Sequence, residues 1–181
     1  FFIFWFLIIW LATIEGGQGA LVGLQPIDKA LYAESHPISH MCAKLAHKGD
    51  NMERFIVGRQ FLVVLIVFIL NMMGSAVADA TVLGMSNVMA EIFLATGVAM
   101  ILTTIMIGQL TAQVNAANCM LDFIDNYFML LSTYVSLAIE FSGLLHSVYL
   151  VQIIFSKIIG RPIASNEPQM TGLQNVFFWA R

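Results

Sequence analysis

Three polar residues, Glu15, Gln18 and Gln25, lie within or just after the very apolar first stretch of the chain. At 100° per residue, a helix would bring Gln18 and Gln25 to within about 20° of each other, with Glu15 about 60° away. A carboxylate accepts hydrogen bonds, and a carboxamide both donates and accepts them. The spacing therefore predicts one hydrogen-bonding face on a helix.

A second polar group, Gly58-Arg59-Gln60, lies near the start of the next apolar stretch. Arg59 offers five N–H donors in a fixed plane, although an arginine this close to the end of a span can also snorkel to the headgroups. In the first stretch Gly16 and Gly23 accompany the polar residues, and such glycines allow close helix approach or local unwinding. Because ionisable residues inside a span are costly, the pattern indicates a functional site.

The later apolar stretches also carry polar residues at helical spacing. These are Asn71, Ser75 and Asp79 in the second stretch, Asn87 and Glu91 in the third, and Ser132, Ser136, Glu140, Gly143 and Ser147 in the fourth. Serine stripes are more often packing seams than solute paths, whereas a buried carboxylate without a partner is costly. We expect the stripes to face a common cavity, with helix packing as the alternative for the serines.

The sequence contains no nucleophile and base pair, phosphate loop or zinc-protease motif, so we expect no enzyme. Four loop residues could suggest a metal site, but they lack regular ligand spacing and Pro37 would interrupt a helix: His36, His40, Cys42 and His47. We therefore expect a solvated loop and no metal.

A further short motif, Cys119-Met120-Leu121-Asp122, links the third and fourth stretches. One cysteine and one aspartate supply at most two ligands of a metal site. The residue types predict instead the start of a helix, capped by Asn118 or Asp122.

The composition places these residues in a membrane. Of 181 residues, 59% are hydrophobic and 10% are charged, whereas charged residues make up about a quarter of ordinary soluble domains. Mean hydropathy is +0.84. A net charge of −3 argues against nucleic acid as a partner, because phosphate binding needs a basic surface.

Four stretches are long enough to cross a bilayer, which takes about 20 apolar residues. They are residues 1–24, 57–78, 82–107 and 127–155, and we expect all four to be helices because lipid cannot satisfy open backbone groups. Both ends of the chain lie within apolar runs, so we expect an internal fragment. The fold class is therefore an all-α membrane protein.

The polar segment 25–56 is the main loop between spans, with a short interfacial helix expected within residues 27–34. Five of the eight Lys and Arg residues cluster in or next to it, so the positive-inside rule places it in the cytoplasm. The tight turn at Asp79 makes the second and third spans an antiparallel hairpin. Lys157 and Arg161 would then lie outside, unless residues 82–107 do not fully cross.

In this order the motifs resemble those of the diatom silicon transporters. The resemblance rests on an EGxQ pattern at Glu15-Gly16-Gly17-Gln18, a GxQ pattern at Gly23-Leu24-Gln25, GRQ at Gly58-Arg59-Gln60 and CMLD at Cys119–Asp122. Each is weak alone, but the set covers nearly the whole chain.

The resemblance implies a multi-pass plasma-membrane carrier, also found in intracellular vesicle membranes, that takes up orthosilicic acid with sodium by alternating access. It also implies ten helices in two inverted halves. This chain would supply four full transmembrane helices plus the start of a fifth, would lack the other half, and would not transport alone. In this frame, Lys157 and Arg161 are cations tolerated outside.

On this resemblance Glu15, Gly16, Gln18, Gly23, Gln25, Gly58, Arg59 and Gln60 form the substrate site. Arg59 would donate to the solute or neutralise Glu15. The candidates for coupling to sodium are Asn71, Asp79, Glu91 and Glu140, and the role of Cys119–Asp122 stays open. Two alternatives remain: a carrier or channel for another small neutral solute, such as boric acid or glycerol, and a membrane assembly module that does not transport.

Overall fold

The computed structural model describes residues 1–74, 84, 86–95, 97–143, 151, 154, 157 and 158. All regular structure within these residues is helical. The α-helices are α1 (Phe2–Gly23), α2 (Pro37–Ala46), α3 (Asn51–Met73), α4 (Asn87–Ala90), α5 (Val98–Thr103), α6 (Thr111–Asn118), α7 (Met120–Ile124) and α8 (Tyr127–Phe141), joined by a 3₁₀ helix at Lys29–Tyr32 and π-helical turns at Glu91–Ala95 and Thr104–Leu110.

Three helical stretches of the described chain are long and apolar enough to span a membrane: Phe2–Gly23, Asn51–Met73 and Val98–Asn118. The first two correspond to the first two predicted spans, although α3 begins six residues earlier than expected, at Asn51 rather than at residue 57, and ends at Met73. Residues 75–78 of the second predicted span lie outside the described residues. Helix α8 is apolar but shorter. It begins at Tyr127, where the fourth span is predicted to start, and most of residues 144–155 lie outside the described residues. The predicted start of a fifth helix lies outside them as well.

The third spanning stretch lies further along the chain than predicted. Instead of ending at Ile107, the helix continues through a π-helical turn to Asn118. The predicted span ends at Ile107, but in the structure the residues after it satisfy their own backbone groups as helix, and the Gln113 side chain finds a partner on α1. The stretch also begins at Val98 rather than at residue 82. Gly97, just before α5, has a φ of +77°, a conformation that glycine adopts at little cost.

The loop between α1 and α3 is more helical than expected. The predicted interfacial helix is one 3₁₀ turn, and the prediction that Pro37 interrupts a helix is wrong. Pro37 is the first residue of α2, where a missing N–H costs nothing because that group has no helical partner.

The helices pack around two apolar clusters. One surrounds the first half of α1 and the middle of α3, with Leu11 and Ile66 fully buried or nearly so. The other joins the end of α1 to α2, α7 and α8, where Cys42, Ile124 and Met129 are inaccessible. The corner at residues 119–126 therefore lies on the same side as the loop after α1, as expected if the spans are antiparallel.

Candidate functional site

Helices α1, α3 and α6 bring a carboxylate, a guanidinium and a carboxamide together. The Nη1 atom of Arg59 lies 3.2 Å from Oε2 of Glu15, and the two side chains are only 8% and 10% exposed. The Nε2 atom of Gln113 donates to the same Glu15 oxygen at 3.1 Å. Glu15 thus receives contacts from two neighbouring helices, and Arg59 points into the protein rather than snorkelling to headgroups.

The guanidinium of Arg59 has hydrogen-bond donors that are not used within the described chain. Nη2 donates to Oε1 of the adjacent Gln60 at 3.3 Å. Among the described residues, Nε and Nη1 are hidden from solvent and make no hydrogen bond, the contact of Nη1 with Glu15 being an ion pair only. Buried donors are almost always paired in folded proteins, so this group is suited to receive a ligand oxygen.

The three glutamines of the predicted site differ in burial, and among them only Gln60 has a contact with this pair in the described chain. Gln18 is half-buried on α1, whereas Gln25 and Gln60 are exposed. The expected helical alignment of Gln18 with Gln25 is wrong, because α1 ends at Gly23. The N–H of Gln25 instead bonds to the carbonyl of Val22 in a turn.

The motif glycines are positions of close packing. A Cβ at Gly16 would collide with Phe123 and with the carbonyl of Ala112, and one at Gly23 would collide with Met120. Gly58 lies in the same way against the carbonyl of Ser136. Each glycine therefore lets another helix approach the one that carries Glu15 or Arg59.

The described candidates for ion coupling differ in burial. Asn71 and Glu91 are exposed, and Asp79 lies outside the described residues. Glu140 is fully buried, and its Oε2 accepts from Nε of Arg54 at 2.7 Å. Glu140 therefore forms a second ion pair, between α8 and α3, separate from the pair of Glu15 with Arg59.

The serine stripe of α8 is a packing seam. Ser132 and Ser136 are buried and their hydroxyls bond to carbonyls four residues earlier, at 2.8 Å in each case. The hydroxyl of Ser132 also accepts from Nε1 of Trp10 at 3.0 Å. The alternative of helix packing therefore holds for these serines, while Ser147 lies outside the described residues.

The role predicted for Asn118 or Asp122 as a cap is not observed. Cys119 occupies the cap position of α7 without a side-chain bond, and its thiol bonds to the carbonyl of Asn115. Asp122 lies in the first turn of α7, where its Oδ1 is 3.2 Å from Nε2 of His36. Asn126 caps the following helix by accepting from the N–H of Met129.

Three contact-making residues were not among the predicted candidates: Gln113, Arg54 and Asp125. Gln113 lies beyond the predicted end of the third span at residue 107, although Gln109 and Gln113 have i, i+4 spacing. Arg54 falls within the predicted loop 25–56, and its partner is 86 residues away. Within the described residues, no three metal-binding side chains come together.

The family comparison covers the whole chain. A family model described as silicon transporter matches residues 1–181. Neither the search of curated proteins nor that of solved structures returned a match. The match extends over every helix that contributes to the pair of Glu15 with Arg59. The chain is a member of the silicon transporter family, which supports a role in silicic acid transport.

Proposed function

We propose that silicic acid binds beside the ion pair of Glu15 and Arg59 and crosses the plasma membrane by alternating access, coupled to sodium. The observation that carries the proposal is that Arg59 is buried while several of its hydrogen-bond donors lack an acceptor within the described chain. It is 7% exposed, and two of its three nitrogens make no hydrogen bond within the described chain. Leaving a buried donor such as Nε without a hydrogen bond costs about 1–3 kcal/mol or more, which a solute oxygen would offset.

The chemistry of the solute suits this site. Silicic acid is a small neutral molecule with four hydroxyl groups that donate and accept. Arg59 supplies donors, Glu15 supplies an acceptor, and the amides of Gln18, Gln60 and Gln113 supply both. Because the ion pair has no net charge, the site favours a neutral polyol over an anion or a cation, and low local dielectric strengthens each bond.

Sodium would require oxygen ligands near this pair. Glu15 is the first candidate. Its Oε2 atom contacts both Arg59 and Gln113, and the carboxylate has a second oxygen that could bind sodium. Asn71, Asp79 and Glu91 remain further candidates. A sodium site at Glu140 would require its ion pair with Arg54 to open, so we assign Glu140 a structural role.

The test is uptake and binding of silicic acid by the full-length protein carrying Arg59→Gln or Arg59→Lys. We expect both variants to reach the membrane and to lose uptake at least tenfold, because lysine cannot reproduce a planar set of donors. The matched control is Lys44→Gln, at an exposed cation outside the site. Unchanged binding in the Arg59 variants would exclude this site.

Two further arms address the coupling ion and the competing solutes. Replacing sodium by choline should abolish concentrative uptake if sodium is coupled. Excess boric acid or glycerol should displace silicic acid poorly if the site requires four hydroxyls. Equal uptake in choline would remove sodium from the mechanism without affecting the assignment of Arg59.

A further inference from the structure

We propose that the corner formed by Cys119–Asp122 and Asp125 is a fixed seat for the loop helix α2, and that it positions α1 and its Glu15. This inference rests on the proposed function, since positioning matters only if Glu15 belongs to the transport site. It gives a role to the CMLD motif, which binding of the solute leaves unexplained.

The carboxylate of Asp125 holds the start of α2. Its Oδ1 accepts from the backbone N–H of Ile38 and of Ser39, both at 3.0 Å. Those N–H groups belong to the first turn of α2, where no helical carbonyl is available to them, and a negative charge is favoured there by the helix dipole. The hydroxyl of Ser39 donates to the carbonyl of Leu121 at 2.7 Å. The seat thus binds α2 through backbone and side chain together.

The remaining contacts show that α2 belongs to the core. Ser39, Cys42, Ala43 and Ala46 are all 0% exposed, and the last three pack in one cluster with Ile124 and Met129. His36, just before α2, adds a contact with Asp122. A lid that opens in every cycle would have to expose this apolar face repeatedly, so we infer that α2 stays seated.

The same corner contacts α1 at its glycines. Met120 lies against Gly23, and Phe123 lies against Gly16, the residue next to Glu15. The seat therefore links the loop helix to the helix that carries the site. Asp125 is a positioning residue, because it acts on Glu15 through α2 and α7 without contacting it.

The first test joins α2 to its seat. The full-length protein would carry His36→Cys and Asp122→Cys with Cys119→Ser, and would be treated with a short bifunctional thiosulfonate reagent. We expect efficient cross-linking and silicic acid uptake within twofold of the untreated protein. The two single-cysteine variants are the controls.

Two outcomes would overturn the seat. Absence of cross-linking would mean that positions 36 and 122 do not lie close together. Loss of uptake that a reducing agent restores would mean that α2 is a moving gate. Cross-linking is read on a gel and does not depend on transport, so failure of the seat is distinguishable from failure of the site at Arg59.

The second test separates positioning from mere folding. We expect Asp125→Ala to raise the silicic acid concentration for half-maximal uptake at least threefold, with uptake rates normalised to the protein in the membrane. Asp125→Asn should raise the half-saturating concentration less than Asp125→Ala does, because its amide oxygen still accepts hydrogen bonds from the backbone of α2. The exposed Asp122→Asn should have a smaller effect. If Asp125→Ala only lowers the amount of protein and leaves half-saturation unchanged, the positioning role is wrong.

Discussion

Gly58 in α3 lies directly against the backbone carbonyl of Ser136 in α8, with no room for a side chain between the two helices. This contact lies one residue before Arg59 and four residues before Glu140. It explains why a glycine opens the Gly58-Arg59-Gln60 motif: a larger residue would separate α3 from α8 and displace both ion pairs.

We expect Gly58→Ala to destabilise the protein by about 1–3 kcal/mol, the usual cost of overpacking a tight contact. The added Cβ would meet the backbone carbonyl of Ser136, which cannot rotate away as a flexible side chain could. The measurement is the thermal unfolding midpoint of the purified protein in detergent, together with uptake. Gly19→Ala is the matched control, because a Cβ there meets nothing within 4 Å in the described chain. Equal midpoints for the two variants would contradict the packing role.

Arg54→Met should destabilise the protein by about 2–3 kcal/mol, between the costs of breaking an exposed and a buried ion pair. The Glu140 side chain is 0% exposed and Arg54 is 31% exposed, so the carboxylate would lose a strong partner without gaining water. Denaturation of the purified variant checks this. Lys44→Met removes an exposed cation and should cost little. Adding Glu140→Gln should recover part of the loss, and no recovery would count against the pairing.

Gln113→Leu should reduce silicic acid uptake about tenfold while the protein still reaches the membrane. Its amide donates to Glu15 at 3.1 Å, and a hydrogen bond to a charged group is worth about 1.5–3 kcal/mol. Initial uptake rates normalised to surface protein provide the measurement. Asn115→Leu, at an exposed position of the same helix, serves as the control. Similar uptake by the two variants would exclude Gln113 from the site.

The two cysteines should differ sharply in reactivity. Burial and the nearby Asp125 raise the pKa of the Cys42 thiol from 9.0 to about 12. Since the thiolate is the reactive form, this lowers its population at neutral pH about a thousandfold, before any loss of access. Cys119 is exposed. We expect maleimide to label Cys119 within minutes and Cys42 only after unfolding.

Raising the pH from 7 to 9 should leave Cys42 unlabelled in the folded protein, because the raised pKa keeps the thiol protonated throughout this range. Mass spectrometry of the labelled peptides separates the two sites, and a Cys119→Ser variant gives the background. Rapid labelling of native Cys42 would show that α2 leaves its seat.

Glu15 and Arg59, which the structure brings together, could be singled out as candidates from residue types and spacing. Glu15 and Arg59 are ionisable groups inside apolar stretches, where their cost indicates a function whatever the fold. The first two spans could be predicted from length and hydropathy alone, because a helix needs about 20 apolar residues to cross a bilayer.

What the sequence determined by itself is the class of the protein, a membrane-spanning helical transporter with expensive polar groups in its first two spans, because those properties follow from local composition and motif order. Only the tertiary structure decided the partners. Glu140 pairs with Arg54, Gln113 reaches Glu15, and Asp125 holds α2, across 86 to 98 residues of chain. Such pairings depend on which helix faces meet, and a pattern read along one segment carries no information about the segment packed against it.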